Sequence, residues 1–248
     1  MPTRARRVAS AGMSTPPPPS VPVPPPTPAV PAGERVRQAY VARHETDYVF
    51  SNPGVDIFLM IITCGIWGLY VFYQLMRRMR EHNKRVLAML EGATDLAWER
   101  ASEQGIAEEL RPNFERIQAH LAVMRSMTTE FRDPAIWLIL AIITGIAQWI
   151  AYIFLDGDLI KHDRNGGAVQ AELLVVYGRL GQTLPAPDPN RVKAPHNYVG
   201  RIIAAILTCG IYGLFWIYNL MLDGNQHFEQ TWPWEDALAG RVQELTTG

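Results

Sequence analysis

The chain of 248 residues has few cysteines and no excess of either charge, and both shortages exclude classes of protein. Its two cysteines, Cys64 and Cys209, lie far apart in separate apolar runs, which excludes a disulfide framework and any CxxC zinc or redox site. The 23 Lys and Arg residues against 24 Asp and Glu residues exclude a globally basic nucleic-acid binder. No nucleic-acid partner is therefore expected.

The sequence also lacks the short motifs of common catalytic and nucleotide-binding sites. No GxGxxG, GxxxxGK[ST], HExxH or GxSxG occurs anywhere in the chain. We therefore expect a protein that is not an enzyme and that has no catalytic residues, no cofactor and no metal ion.

The N-terminal segment, residues 1–33, lacks the apolar stretch of a signal peptide. Arg4, Arg6 and Arg7 resemble the charged start of such a peptide, but no apolar stretch of about 7–15 residues follows them. Ten of the 19 prolines fall between Pro16 and Pro31, which predicts a disordered, Pro-rich tail with nothing to bury. The alternative is a segment that docks on aromatic-lined grooves of protein partners.

Three apolar runs dominate the rest of the chain, at residues 55–76, 135–155 and 199–221. Each has roughly the twenty residues that a helix needs to cross about 30 Å of hydrocarbon. The sequence therefore predicts an all-α, multi-pass integral membrane protein whose main partner is the lipid bilayer. We assign the three membrane units to residues 52–82, 133–162 and 197–227.

The three units are copies of one repeat. Residues 52–82 align without a gap with residues 197–227, and the middle copy joins after losing one residue. Each copy has an aliphatic half, a Thr-(Cys)-Gly-Ile centre and an aromatic half. Small residues and threonine at such a centre predict helix packing together with a bend. The residues of this structural motif are Thr63, Cys64, Gly65, Gly68, Thr144, Gly145, Thr208, Cys209, Gly210 and Gly213.

The repeat resembles a known family. The cores ITCGIWGLYVFY and LTCGIYGLFWIY are similar to the TLGIYGLYW repeat of the bacterial membrane family described as domain of unknown function 4234. The middle copy departs most, because Ala147 and Gln148 replace the Trp/Tyr-Gly pair. The resemblance implies a multi-pass protein of the bacterial plasma (inner) membrane and supplies no activity and no catalytic residues.

Two topologies fit the three runs. If each run crosses once, the Lys and Arg residues outside the runs fall equally on both sides, so charge does not orient the protein. We favour single crossings that are kinked at the Thr-(Cys)-Gly centre. The alternative is re-entrant hairpins bent at that centre, whose arms of about eleven residues reach only about halfway across.

The segments outside the runs predict further helices. Residues 83–131 have apolar positions at helical spacing on both sides of Gly105, which predicts an extramembrane helical hairpin that forms a short antiparallel coiled coil. The sequence Asn165-Gly166-Gly167 predicts a break, followed by an amphipathic helix and Pro-rich linker over 168–195. Residues 228–248 form the C-terminal tail.

Two sets of polar residues beside the runs are candidates for a site. Asp56 and Arg201 occupy equivalent positions near the start of units one and three, where each reaches the headgroups or the two form an intramembrane pair. His82, His162 and His227 follow the central glycine by the same spacing in all three copies. They would form a zinc site only if the units are hairpins, so we favour anchoring at the membrane interface.

From these features we expect a structural or interaction protein of the bacterial inner membrane. Its Pro-rich tail or its helical hairpin would recruit protein partners. The alternative is a small transporter or channel subunit, because many transporters are built from repeated units.

Overall fold

The structure, a computed structural model, describes residues 30–129, 133–194 and 196–247. These residues form nine α-helices and no strand, so the expected all-α class is confirmed for the described part of the chain. The helices are α1 (Ala32–Val41), α2 (Arg43–Thr46), α3 (Pro53–Ile62), α4 (Ile66–Glu103), α5 (Ala107–Thr129), α6 (Pro134–Thr144), α7 (Ala147–Arg179), α8 (Tyr198–Leu207) and α9 (Ile211–Thr247).

The first described helix was not expected from the sequence. Most of the predicted disordered tail, residues 1–29, lies outside the described residues, but α1 already begins at Ala32. The carbonyl of Pro31 accepts the first helical hydrogen bond from the Arg35 N–H. Val36 is completely buried, so tertiary packing stabilises this helix, which the proline-rich sequence before it gave no reason to expect.

Each repeated unit contains a short helix followed by a long one, namely α3 and α4, α6 and α7, and α8 and α9. The short helix begins in the same way in all three units. The side chains of Asn52, Asp133 and Asn197 accept backbone N–H groups of the first turn and so cap the helix. These caps fix where each apolar run enters the fold.

A left-handed turn separates the two helices of each unit. Gly65, Gly145 and Gly210 have φ angles of 91°, 64° and 93°, a region that glycine adopts at little cost. In every unit, the hydroxyl of the threonine before the turn donates to the carbonyl four residues earlier. The same oxygen accepts a backbone N–H three or four residues later. The turn therefore satisfies much of its own backbone.

These turns reverse the chain, so the units are hairpins. The Trp67 indole donates a 2.9 Å hydrogen bond to Asp56 Oδ1, although eleven residues of continuous helix would separate them by about 16 Å. In the second unit, the rings of Trp137 and Phe154 lie 5.5 Å apart across the turn. The prediction of single kinked crossings is therefore wrong, because a glycine in the left-handed region reverses the helix direction instead of bending it.

None of the helices in the described part of the chain combines the length and the apolar character that crossing a bilayer requires.

The long arms of the three hairpins run parallel and in register. The ring of Tyr152 lies 6.0 Å from that of Phe72 and 5.8 Å from that of Trp216. These three residues follow their own turn glycine by six or seven positions, so the three turns lie at the same end of the molecule. The rings belong to one apolar cluster, which we call the hairpin core and which draws on all three units.

The other end of the molecule is a helical bundle. A second apolar cluster, here called the bundle core, joins α1 and α5 to the distal parts of α4, α7 and α9. Helix α5 follows α4 after a turn at Gly105, whose φ is 71°, and packs against both α4 and α7. The predicted two-helix coiled coil is therefore part of a larger bundle. The buried apolar residues of α5 are Leu110, Phe114, Ile117, Leu121, Met124 and Met127.

Two helices are longer than the sequence predicted. Helix α7 continues through residues 165–167, where Asn165 and Gly166 are buried. Helix α9 continues through the predicted C-terminal tail, where Trp234 and Leu238 are buried in the bundle core. Burial in a bundle offsets the cost of about 1 kcal/mol for a glycine inside a helix.

The small residues of the repeat divide into two groups. Cys64 and Cys209 lie in the turns with φ of 50° and are exposed, so they do not form the helix-packing stripe that their spacing predicted. Gly68 and Gly213 do lie on helices at close contacts. A Cβ at Gly68 would lie 3.1 Å from the Met60 side chain, and one at Gly213 would lie 2.7 Å from the Trp149 ring.

We predict opposite effects from the same substitution at two glycines. A methyl group would meet nothing within 4 Å at either Gly210 or Gly240. Gly210→Ala should lower the free energy of unfolding by about 1 kcal/mol, because alanine is strained in the left-handed region. Gly240→Ala should raise it by up to about 1 kcal/mol through helix propensity. Thermal unfolding in one detergent checks both signs, and equal shifts would contradict the prediction.

Candidate metal centre

Three histidines from the three units meet between the two apolar cores. His82 on α4 and His162 on α7 are completely buried, and His227 on α9 is 3 % exposed. The Nε2 atom of His82 lies 3.3 Å from Nε2 of His162 and 2.9 Å from Nε2 of His227. The expectation that these residues anchor the protein at a membrane interface is therefore wrong.

The common spacing explains why the histidines converge. Each follows its turn glycine by 17 residues, so all three occupy the same face of equivalent helices. The long arms of the hairpins are parallel and pack around a common centre, so three equivalent faces point inward together. From the sequence, the three histidines could form a metal site only if the three units are hairpins. The units are hairpins in the structure.

Asp47 orients His82 from outside the repeat. Its Oδ1 lies 2.9 Å from His82 Nδ1. The Arg85 guanidinium donates to both oxygens of Asp47, at 3.2 and 2.7 Å, and the Trp232 indole donates to Oδ2 at 2.9 Å. Arg85 also forms two 2.9 Å hydrogen bonds with Glu235. A fixed carboxylate on Nδ1 leaves the Nε2 lone pair of His82 directed at the other histidines.

Asp163 has the same relation to His227. Its Oδ1 lies 2.8 Å from His227 Nδ1, although the ring N–H is not well directed along this line. The Arg191 guanidinium lies 3.2 Å from the same oxygen and donates a 2.6 Å hydrogen bond to Gln170. A carboxylate oxygen this close favours a proton on Nδ1, which leaves Nε2 of His227 unprotonated.

The protonation states suit metal ligation. Burial lowers the pKa of His82 to about 4, although Asp47 opposes this shift. Burial also lowers the pKa of His162 well below its usual value, and the neighbouring histidines add to the effect. Burial would raise the pKa of Asp47, but His82 and Arg85 outweigh it and hold this pKa below its usual range. Neutral imidazoles of His82 and His162 therefore lie close to the ionised carboxylate of Asp47 at neutral pH.

Two of the three separations between the imidazole nitrogens are close to those around a tetrahedral ion. One ligand atom from each histidine lies within 4.8 Å of those of the other two. Two nitrogens that each lie about 2.0–2.1 Å from a tetrahedral zinc ion are separated by about 3.3 Å. The observed Nε2 separations of 3.3 and 2.9 Å are close to this value. Three histidines also leave one coordination position for water.

The second candidate set from the sequence is not brought together. Asp56 accepts its hydrogen bond from Trp67 within the first hairpin. The Arg201 guanidinium lies 3.5 Å from Asp156 Oδ2 and 5.3 Å from the centre of the Trp216 ring. The structure thus gives each charge of the expected intramembrane pair a different partner: Asp56 is paired within its own hairpin, and Arg201 is paired with a carboxylate of the second unit.

Sequence reasoning missed the residues that support the histidines. Asp163 directly follows His162, and Arg85 lies one helical turn after His82, so local spacing could have identified both. Asp47 and Glu235 lie outside the repeats, and no sequence pattern connects them to the histidines. Their role depends on how α9 and the segment after α2 pack on α4.

Comparison of the chain with protein-family models, curated proteins and solved structures found no match. The resemblance to the membrane family named above thus remains an expectation that rests on the residues of the repeat.

We predict that the Arg85 network is a major source of stability. Arg85→Gln would leave the buried Asp47 carboxylate without its guanidinium partner and Glu235 with only the more distant Arg43, 4.0 Å away. Breaking a buried ion pair typically costs about 3 kcal/mol or more. Burial already raises the pKa of Glu235, which shows how costly its charge is there. The matched substitution Arg111→Gln removes an exposed pair with Glu108 and should leave the unfolding midpoint nearly unchanged. Equal midpoints for the two variants would contradict a stabilising network.

Proposed function

We propose that this protein is a monotopic membrane protein and a structural or interaction platform. Its three hairpins enter one leaflet of the bilayer from one side, and its helical bundle lies at the membrane surface. The observation that carries this proposal is the row of exposed aliphatic side chains at the three hairpin turns, which share one end of the molecule.

The exposed side chains at the turns are unusually apolar. Ile66, Ile143 and Leu207 are 73 %, 74 % and 78 % exposed, more than Val41 of the bundle, at 59 %. A large contiguous apolar surface on a protein marks a binding surface for protein or lipid. The exposed aliphatic residues nearest the three turns are Ile61, Ile62, Ile66, Ile142, Ile143, Ile146, Ile206, Leu207 and Ile211.

The distribution of charge favours lipid over a protein partner. Residues 57–76, 135–155 and 202–222 contain no Asp, Glu, Lys or Arg. The first charged residue after Gly65 is Arg77, about 18 Å further along the helix. This depth is slightly more than half of a hydrocarbon layer of about 30 Å. A segment surrounded by lipid must be free of charge on every outward-facing side. A segment that binds a protein partner needs a charge-free surface only on the side that faces the partner.

The hydrogen bonding of the turns supports the same conclusion. Hydrocarbon offers no partner to a free backbone N–H or carbonyl, so a turn inside a bilayer must satisfy these groups within the protein. Thr63, Thr144 and Thr208 each donate to one arm and accept from the other. A turn exposed to water would not need this arrangement.

Charged residues collect at the base of the hairpins, where the headgroups would lie. Arg80 donates a 2.7 Å hydrogen bond to Asp133, and Arg201 lies beside Asp156. Because each hairpin returns to its side of entry, all polar segments of the described chain lie on one side. The Lys and Arg residues of these segments then lie on the same side of the bilayer, so their equal division between the segments no longer argues against a single orientation. Such basic residues favour the cytoplasmic side.

The transporter alternative receives no support from this geometry. A transport path built from the repeats would need their helices to cross the bilayer. The hairpins instead leave the polar bundle at one surface, where it can bind protein partners.

We predict that charges at the turns abolish membrane binding. The triple variant Ile66→Asp, Ile143→Asp and Ile211→Asp places a carboxylate on each hairpin turn, at positions that are at least 71 % exposed. Each carboxylate would have to enter hydrocarbon, at a cost of a few kcal/mol. Flotation with liposomes after detergent removal measures the bound fraction, which should fall to background.

The matched control carries the same three charges on the bundle. Val41, Val123 and Val175 are exposed aliphatic residues there, and their replacement by Asp should leave flotation unchanged. Both variants should keep the helical circular dichroism of the wild type. Flotation of the turn variant at the wild-type level would overturn the proposal.

We also predict that both ends of a hairpin label from one side. Ser51 precedes the first hairpin and Ser102 follows it, and both are exposed. In a chain with Cys64→Ser and Cys209→Ser, the variants Ser51→Cys and Ser102→Cys should react with an impermeant maleimide from the same side of sealed vesicles. Labelling from opposite sides would show that the first unit crosses the bilayer.

A further inference from the structure

The three histidines face one another in a way that neutral imidazoles alone do not stabilise. The carboxylates of Asp47 and Asp163, at 2.9 and 2.8 Å, favour a proton on Nδ1 of His82 and of His227, respectively, although the His227 N–H is not well directed at its carboxylate. Both Nε2 atoms then carry lone pairs, and they lie only 2.9 Å apart. Two lone pairs at this distance repel each other unless a cation lies between them.

The third histidine adds a further unsatisfied group. Nδ1 of His162 is buried without a hydrogen-bond partner among the described residues. Its Nε2 lies 3.3 Å from Nε2 of His82, so this nitrogen also belongs to the convergent set. With its proton on Nδ1, His162 would direct a third Nε2 lone pair at the other two.

A shared proton is the simplest competing cation. The histidines are enclosed by the hairpin core on one side and the bundle core on the other. A proton shared between His82 and His227 would join only those two Nε2 atoms and would leave Nε2 of His162, 3.3 Å from Nε2 of His82, without a partner. A metal ion of the zinc class accepts three imidazole nitrogens at once.

We propose that His82, His162 and His227 bind a divalent transition-metal ion of the zinc class through their Nε2 atoms. The carboxylates of Asp47 and Asp163 hold two of the ligands in position, as carboxylates do for many zinc-bound histidines. The ion joins the long arms of all three repeats at one level and so stabilises the fold.

The test uses the full chain, purified in detergent through an affinity tag without histidine. After chelator treatment, cobalt(II) is titrated in, because four-coordinate cobalt absorbs strongly in the visible range. We expect about one cobalt ion per chain, displacement by zinc, and a higher thermal unfolding midpoint with metal than without. Elemental analysis of protein that has not been treated with chelator should find about one bound transition-metal ion.

Two histidine variants show whether this signal comes from the proposed site. His162→Gln removes the ligand that has no carboxylate partner, and it should abolish the cobalt spectrum and the metal-dependent rise in the midpoint. The control His120→Gln changes a histidine of α5 that contacts Asn165, and it should keep both. A cobalt spectrum in His162→Gln equal to that of the wild type would overturn the proposal, as would no binding by the wild type.

A third variant keeps the proposal testable if His162→Gln does not fold. Asp163→Asn retains all three ligands but removes the carboxylate beside His227. It should bind metal with an affinity about 10–100-fold lower, as measured by competition with a chelator. An unchanged affinity in this variant would contradict the role assigned to Asp163.

Discussion

The reversal of the chain at each Thr-(Cys)-Gly turn determines the rest of the structure. A left-handed glycine ends one helix and the preceding threonine satisfies the backbone of both arms, so an apolar run long enough to cross a bilayer folds back on itself. Three such reversals place three apolar turns at one end. They also make the outgoing arms parallel, which aligns every position that the repeats share.

The aligned arms explain why a polar layer can lie between two apolar cores. Burying Arg85, Glu235 and the three histidines is expensive unless each group is paired. Asp47 contacts both His82 and Arg85, and Arg85 contacts Glu235, so one network joins α4, α9 and the segment after α2. Such a layer admits one register of the helices, because a shift by one turn would leave several charges buried without partners.

The repeat, the apolar runs and the equal spacing of the histidines could be read from the sequence, but the hairpins could not. The same glycine and threonine allow either a kink or a reversal, and the contacts that distinguish them, such as Trp67 with Asp56, are tertiary. The length and hydropathy of the runs favoured single crossings, because neither property shows whether the chain reverses its direction within a run. Asp47 and Glu235 were missed because they lie outside the repeat, and the break at 165–167 was wrong because burial outweighed local propensity.

The level of the histidines relates the two proposals to each other. They lie 17 residues beyond the turn glycines, which is about 25 Å along the helices. If the turns reach the middle of a bilayer whose full thickness is about 40–45 Å, the histidines lie just beyond the headgroups. The three imidazoles would then be outside the hydrocarbon, where an ion can reach them from water while the bundle assembles. An ion at this level would hold the three hairpins together where they leave the membrane, because lipid provides no hydrophobic force that drives helices together.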